Sequence, residues 1–224
     1  MRIAVLSDIH GNLFAFSKCL ELLLDMNVDD VYFLGDAVNY YPESNEVVNI
    51  IRKLKFNCIK GNHEEMLLNP DAIVGKSRDV YGIDHTLREL SEENRDFISS
   101  LPNSYERIID DVKMLFVHGS PLDYTNGYIY PDTDISEIEN IDYDVVFCGH
   151  SHYKMERTMK NLKVFNPGSC GMPRDTGNEF SFGVFDTKTG KFKIQKFNID
   201  PKEITEVYKG MLHDSVIKLL YRKN

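Results

Sequence analysis

Five short apolar runs in this chain each end on polar residues set against glycine, and that recurrence limits the fold more than any other feature. Ile3 to Leu6 leads into Asp8-Ile9-His10-Gly11, and Val31 to Leu34 into Gly35-Asp36. Phe56 to Ile59 leads into Gly61-Asn62-His63, Met114 to Val117 into His118-Gly119, and Val145 to Cys148 into Gly149-His150-Ser151-His152. Runs of this kind read as buried strands. Residues 13–26 and Asn45 to Leu54 carry apolar positions at helical spacing, so the first half alternates strand and helix.

Open α/β sheets place their sites beyond the carboxyl ends of strands. Five of the seven histidines fall at such ends with glycine close by. A single Asp-x-His reads equally well as a surface loop or a helix cap; the recurrence favours a site. Glycine suits these positions because tight turns and close backbone approach are tolerated best without a Cβ. Imidazole and carboxylate donors without cysteine suit Mn, Fe, Zn, Co or Ni, and argue for a catalytic site over a structural zinc knot.

In order, Asp8/His10, Gly35-Asp36, Gly61-Asn62-His63-Glu64, His118 and Gly149-His150-Ser151-His152 match the pattern D-x-H, G-D, G-N-H-[DE], H, G-H-x-H. The chain thereby resembles the calcineurin-like metallophosphoesterase superfamily over residues 1–170. Asn166-Pro167-Gly168-Ser169 is similar to a segment of its small bacterial and archaeal branch. The resemblance implies a four-layer α/β/β/α sandwich of two mixed β-sheets flanked by helices. It also implies two divalent ions, Mn first, with Fe, Zn, Ni, Co or Mg also compatible. One would be held by Asp8, His10, Asp36 and His152, the other by Asp36, Asn62, His118 and His150, with Asp36 bridging. A hydroxide shared by ions about 3.5–4 Å apart would attack phosphorus. His63, which is not a ligand in the pattern, would act as general acid, oriented by Asp36 or a backbone carbonyl.

Relatives that cleave phosphoproteins or symmetrical dinucleoside tetraphosphates carry G-D-x-x-D-R-G, whereas this chain reads Gly35-Asp36-Ala37-Val38-Asn39-Tyr40-Tyr41. The phosphate-binding arginine is missing, and Arg174 is the candidate replacement; its bland reading is a surface arginine paired with Asp175 or Glu179. Asn12 is a second candidate for touching substrate. Tyr40, Tyr41, Tyr124, Tyr128 and Tyr130 are placed to line the mouth and stack on a base, or to pack over the edge of a core. The expected function is hydrolysis of small phosphate esters, with nucleotide or dinucleoside polyphosphate hydrolysis and a non-catalytic metal-bearing scaffold as alternatives.

Length and composition agree with one folded unit: 224 residues, 42% hydrophobic and 27% charged. Residues 1–224 read as a single domain with a helical partial cap at 64–105, formed by two helices. A hairpin is expected at Gly183 to Phe197 and a helix from Pro201 to Leu220. A net charge of −9 argues against a stable nucleic-acid partner. No run approaches the length of a membrane span, and Met1 leads directly into a strand pattern, so a cytoplasmic protein is expected. Cys19, Cys58, Cys148 and Cys170 read as buried thiols. His85 and His213 read as ordinary surface or packing residues, and an oligomer stays open.

Overall fold

A computed structural model describes residues 1–223. In chain order its elements are β1 (Arg2–Leu6), α1 (Leu13–Leu24), β2 (Asp30–Phe33), α2 (Ser44–Leu54), β3 (Asn57–Cys58), α3 (Asn62–Leu68), α4 (Lys76–Tyr81), α5 (Ile83–Glu89) and α6 (Glu92–Ser100). There follow β4 (Ser104–Ile109), β5 (Val112–Val117), β6 (Val145–Phe147), β7 (Lys154–Met159), β8 (Leu162–Pro167), β9 (Glu179–Asp186), β10 (Lys191–Asn198), α7 (Pro201–Val207) and α8 (Asp214–Leu220).

The strands form two mixed five-stranded sheets, ordered β10-β9-β1-β2-β3 and β4-β5-β6-β8-β7. In β1 the side chains alternate between two buried faces, as a strand enclosed on both sides requires. Ile3 and Val5, with Tyr32 and Leu34 beside them, meet Phe116, Phe147 and Phe165 of the second sheet. Ala4 and Leu6 face the opposite way, toward Phe16, Cys19, Val47, Val48 and Ile51 of α1 and α2. The outer face of the second sheet, through Leu115, Val146 and Val164, is covered by Ile129, Ile135 and Ile138. This fourth layer is thin, an extended segment with one 3-10 turn at Ser136–Ile138.

Three expectations need correction. The region from Asn62 holds four short helices and not two: Gly75 and Gly82, at φ +61° and +66°, make the first two breaks, and an extended Leu90 followed by Ser91, which caps α6, makes the third. β4 and β7 were not anticipated; both are edge strands with polar sequences, and they pair antiparallel with β5 and β8. The segment from Pro201 to Leu220 is two helices, with Gly210 at φ +73° in the break. These helices pack Ile204, Tyr208, Val216 and Leu220 against Ala15, Tyr41 and Met172. All four cysteines are buried free thiols. Among the described residues no helix is long and apolar enough to cross a membrane.

Candidate metal centre

The parallel strands β1, β2 and β3 of one sheet, and β5 and β6 of the other, deliver their following loops to one edge of the sandwich. Asp8 and His10 follow β1, Asp36 follows β2, and Asn62 and His63 open α3 after β3. His118 follows β5, and His150 and His152 follow β6. All eight are buried, Asn62 being the most accessible at 8%. The turns take their left-handed conformation at the polar residues themselves: Asp8, His10, Asp36, His150 and His152 have φ between 52° and 61°. Non-glycine residues in this region cost roughly 1–3 kcal/mol each and persist only where their surroundings impose them.

Those surroundings are backbone contacts. Asp8 N–H donates to Gly35 O at 3.1 Å, His10 N–H to Asp36 O at 2.9 Å, and Gly11 N–H to Ala37 O at 2.8 Å, joining the first two loops. Gly35, at φ +94°, lies so close to the third loop that a Cβ there would stand 2.4 Å from Gly61 N. Glu64 completes the clamp: its carboxylate accepts from Asp36 N at 2.8 Å, Ala37 N at 2.8 Å and Gly61 N at 2.7 Å. Sequence reasoning gave Glu64 no role, although an acid three residues after Gly61 is the sign of a capping box.

Two donor clusters result. Ligand atoms of Asp8, His10, Asp36 and His152 lie within 4.8 Å of one another, as do those of Asp36, His118 and His150. Asp36 belongs to both, and Asn62 Oδ1 stands 3.0 Å from His118 Nε2. Three rings have their Nδ1–H fixed on backbone carbonyls: His10 on Val38 O at 3.1 Å, His118 on Leu34 O at 2.8 Å and His152 on Met172 O at 2.5 Å. In each ring, when neutral, that leaves Nε2 with a lone pair directed inward. His10 Nε2 and His152 Nε2 are 3.2 Å apart, and His118 Nε2 and His150 Nδ1 are 3.1 Å apart. Facing lone pairs at that range repel unless a proton or cation lies between them, and Asp8 Oδ1 is buried with no hydrogen-bond partner. The donor set fits divalent ions.

Charge is distributed accordingly. Burial pushes the His10 and His152 imidazoliums well below the ordinary range, His63 down to about 4 and His150 down to about 3. Burial also acts against a charged His118, but Asp36, Asp8 and Glu64 outweigh it and raise that ring to about 9. Burial would raise the Asp36 carboxyl, yet the attraction of His118, His63 and His10 holds it well below the usual carboxylate range. Asp8, desolvated more than it is compensated, rises to about 7.

A cavity of about 280 Å³ opens over Asp36, Asn62, His63, His150 and His152, walled by Tyr40, Met66, Tyr81, Asn126, Tyr128 and Arg174. His63 is oriented by Asn39, whose Nδ2 donates to His63 Nδ1 at 3.0 Å. Neither Asp36 nor a backbone carbonyl takes that role; Asp36 Oδ1 instead accepts the His63 backbone N–H at 2.9 Å. Arg174 is half-buried at the cavity wall, its guanidinium 3.4 Å from Tyr40 OH. Its bland reading fails, since Asp175 pairs with Lys154 at 2.7 Å and Glu179 with Lys154 and Lys196 at 3.1 and 3.0 Å. Among the described residues no carboxylate pairs with Arg174.

Asn12 does not reach the cavity. It caps α1, with Oδ1 accepting from Ala15 N at 3.0 Å and Nδ2 donating to Gly171 O at 2.7 Å. Of the mouth tyrosines, Tyr40 and Tyr128 line the cavity; Tyr41 is buried behind it, and Tyr124 and Tyr130 lie outside. Tyr81, from α4, was not anticipated; its backbone carbonyl accepts Tyr40 N–H at 2.7 Å. His85 contacts Pro42 O, and His213 caps α8.

Comparison with known proteins agrees with this geometry. Residues 1–190 match the model of the calcineurin-like phosphoesterase superfamily domain. The chain is 33% identical to uncharacterized protein MJ0912 of Methanocaldococcus jannaschii, over 91% of this chain and 90% of that one. It is 26% identical to phosphodiesterase MJ0936 of the same organism, over 86% and 97% respectively. The crystal structure of hypothetical protein PH1004 from Pyrococcus horikoshii OT3 superposes with a TM-score of 0.88 at 25% identity, covering 99% of this chain and 98% of that one. The chain belongs to the calcineurin-like phosphoesterase superfamily, a family of metal-dependent hydrolases.

Proposed function

We propose that this phosphoesterase hydrolyses small phosphate esters at a centre of two divalent ions, Mn first among them. Asp8, His10, Asp36 and His152 hold one ion; Asp36, Asn62, His118 and His150 hold the other. The observation that carries this reading is the sharing of Asp36 by two clusters of inward-facing ring nitrogens. When bound, such ions supply Lewis acidity toward the phosphoryl oxygens and a nucleophilic water at neutral pH.

The side chains do the rest. With Asn39 donating to Nδ1, neutral His63 carries its hydrogen on Nε2 and stabilises the departing oxygen by a hydrogen bond from it, the proton that oxygen finally takes up coming from solvent water. Arg174, without a carboxylate partner among the described residues, meets a phosphoryl oxygen in place of the missing arginine. Tyr40 and Tyr81 pack against His63 at centroid distances of 5.0 Å and close the leaving-group side. Residues 64–105 serve as a partial cap, since they supply Met66 and Tyr81 to the cavity wall. The three tyrosine walls favour substrates that carry a ring, nucleotides included. Four buried free thiols suit the reducing cytoplasm.

The test is hydrolysis of bis-p-nitrophenyl phosphate and p-nitrophenyl phosphate by metal-stripped protein with Mn²⁺ restored, beside His63→Ala and Asp36→Asn. Metal-dependent turnover lost in both variants is expected, and the ratio of the two rates reports diester against monoester preference. Two ions bound without any turnover of these esters or of a nucleotide panel would turn the reading toward a binding role.

A further inference from the structure

We propose, on the phosphoesterase reading above, that an aromatic row leading out of the cavity is a second subsite, which takes the ring on the non-leaving side of a dinucleotide-like phosphodiester. The row begins at the metal centre, where Tyr128 lies on His150 with centroids 3.8 Å apart. Tyr130 continues it, parallel to Tyr128 within 2° at 5.6 Å. Tyr153 meets Tyr130 edge-on at 5.6 Å. At the far end Arg222 donates to Tyr153 OH at 3.0 Å.

This row is built into the fold. Ile129 is 3% exposed and packs into the core of the outer layer, so in an extended segment its two neighbours turn outward together. Tyr128 and Tyr130 are accordingly 45% and 36% exposed. The segment is held by reciprocal bonds between Tyr130 and Thr133, and Arg157 donates to Thr133 O. The loop before it closes tightly, with Gly127 N–H on Asp123 O at 3.2 Å. Tyr153 directly follows His152, so both ends of the row are tied to candidate metal ligands. Contiguous exposed rings held in this way have the character of a binding surface.

The occupant follows from chemistry. Flat rings recognise flat rings by stacking, without demanding a particular base. The tyrosines at His63 and those at His150 give a bound phosphorus an aromatic wall on each of two sides, which suits a diester with a ring on both and leaves a monoester one wall short. Arg222 has no carboxylate partner among the described residues, and its guanidinium sits where an anionic group beyond the second ring would lie. A 5′-phosphorylated dinucleotide has both features.

Two diesters test this on the Mn²⁺-loaded protein: methyl p-nitrophenyl phosphate, with one ring, and 5′-phosphorylated diadenosine (pApA), with two rings and a terminal phosphate. The readout is the ratio of kcat/KM for pApA to that for the one-ring ester. That ratio is expected to fall about tenfold in Tyr130→Ala, less in Tyr130→Leu, and about tenfold in Arg222→Gln, whose site is on the surface. Ratios equal to wild type in Tyr130→Ala and Arg222→Gln overturn the subsite. So does a wild-type protein that cleaves the one-ring ester but not pApA, which leaves the phosphoesterase reading intact. A wild-type protein that cleaves neither overturns the reading on which the subsite rests, and the subsite with it.

Discussion

Asn39 donates its amide N–H to Nδ1 of His63 at 3.0 Å, from a backbone held left-handed at φ +71°. This fixes the ring and its tautomer together. Asn39→Ala is expected to lower kcat about tenfold with metal content unchanged, in line with the loss of one buried hydrogen bond worth about 1 kcal/mol and of ring alignment. Asn39→Asp accepts where the amide donated, so it favours the imidazolium and moves the acidic limb of the pH–rate profile upward. A profile unchanged in Asn39→Asp would separate Asn39 from the proton on His63.

The metal-free protein is expected to be most stable near pH 6.5. His10, His63, His150 and His152 have folded pKa values pushed below the unfolded one by burial. As pH falls below about 6.5 the unfolded chain therefore binds more protons, and stability is lost. Asp8 and Glu64, raised by burial to about 7, oppose this but are outnumbered. Above pH 6.5 the sign reverses, because His118 is raised to about 9 and its contribution disappears as the pH passes that value. Urea unfolding at a series of pH values checks the maximum.

Loading metal at pH 7 is expected to release protons, since ligands must bind deprotonated. Protonated His118 supplies one, and Asp8, at about 7, part of another. Calorimetric titrations of Mn²⁺ in buffers of different ionisation enthalpy give the number; none released would contradict the charge distribution described above.

Glu64→Ala is expected to destabilise the protein by about 3 kcal/mol, because it strands three buried backbone N–H groups, and to abolish metal binding. Gly35→Ala is expected to fail to fold stably, as its Cβ would lie 2.4 Å from Gly61 N. Chemical denaturation of Glu64→Ala and solubility of Gly35→Ala measure these effects.

The buried strands and the polar strand ends that meet at the two donor clusters were legible because a strand buried on both faces writes itself as an unbroken apolar run, and because glycine lies close to those Asp, Asn and His side chains in the sequence. β4 and β7 stayed hidden, since edge strands such as Ser104–Ile109 alternate polar residues to solvent. Asn39 was missed because it acts on His63 through one hydrogen-bonding atom, a contact that composition and periodicity do not record; Glu64 left only its capping-box spacing from Gly61, which marks a helix start and not a clamp on three loops. Asn12 lies outside the cavity lining because a polar residue after Asp8 and His10 serves equally well as a helix cap. Tyr81 comes from a short helix in which no residue is buried, so its arrival at the cavity wall leaves no hydrophobic pattern to read.

Asp8, His10, Asp36 and Asn62 come from one sheet, and His118, His150 and His152 from the other. Neither sheet owns a complete set of donors, so a half-assembled chain offers a passing ion only fragments. Metal capture is therefore expected to follow docking of the two sheets, and an ion held by these donors would tie the sheets together along the edge where they meet. Occupancy of the site then reports on the maturity of the whole molecule: a chain that has misdocked its layers is recognisable as one that stays empty.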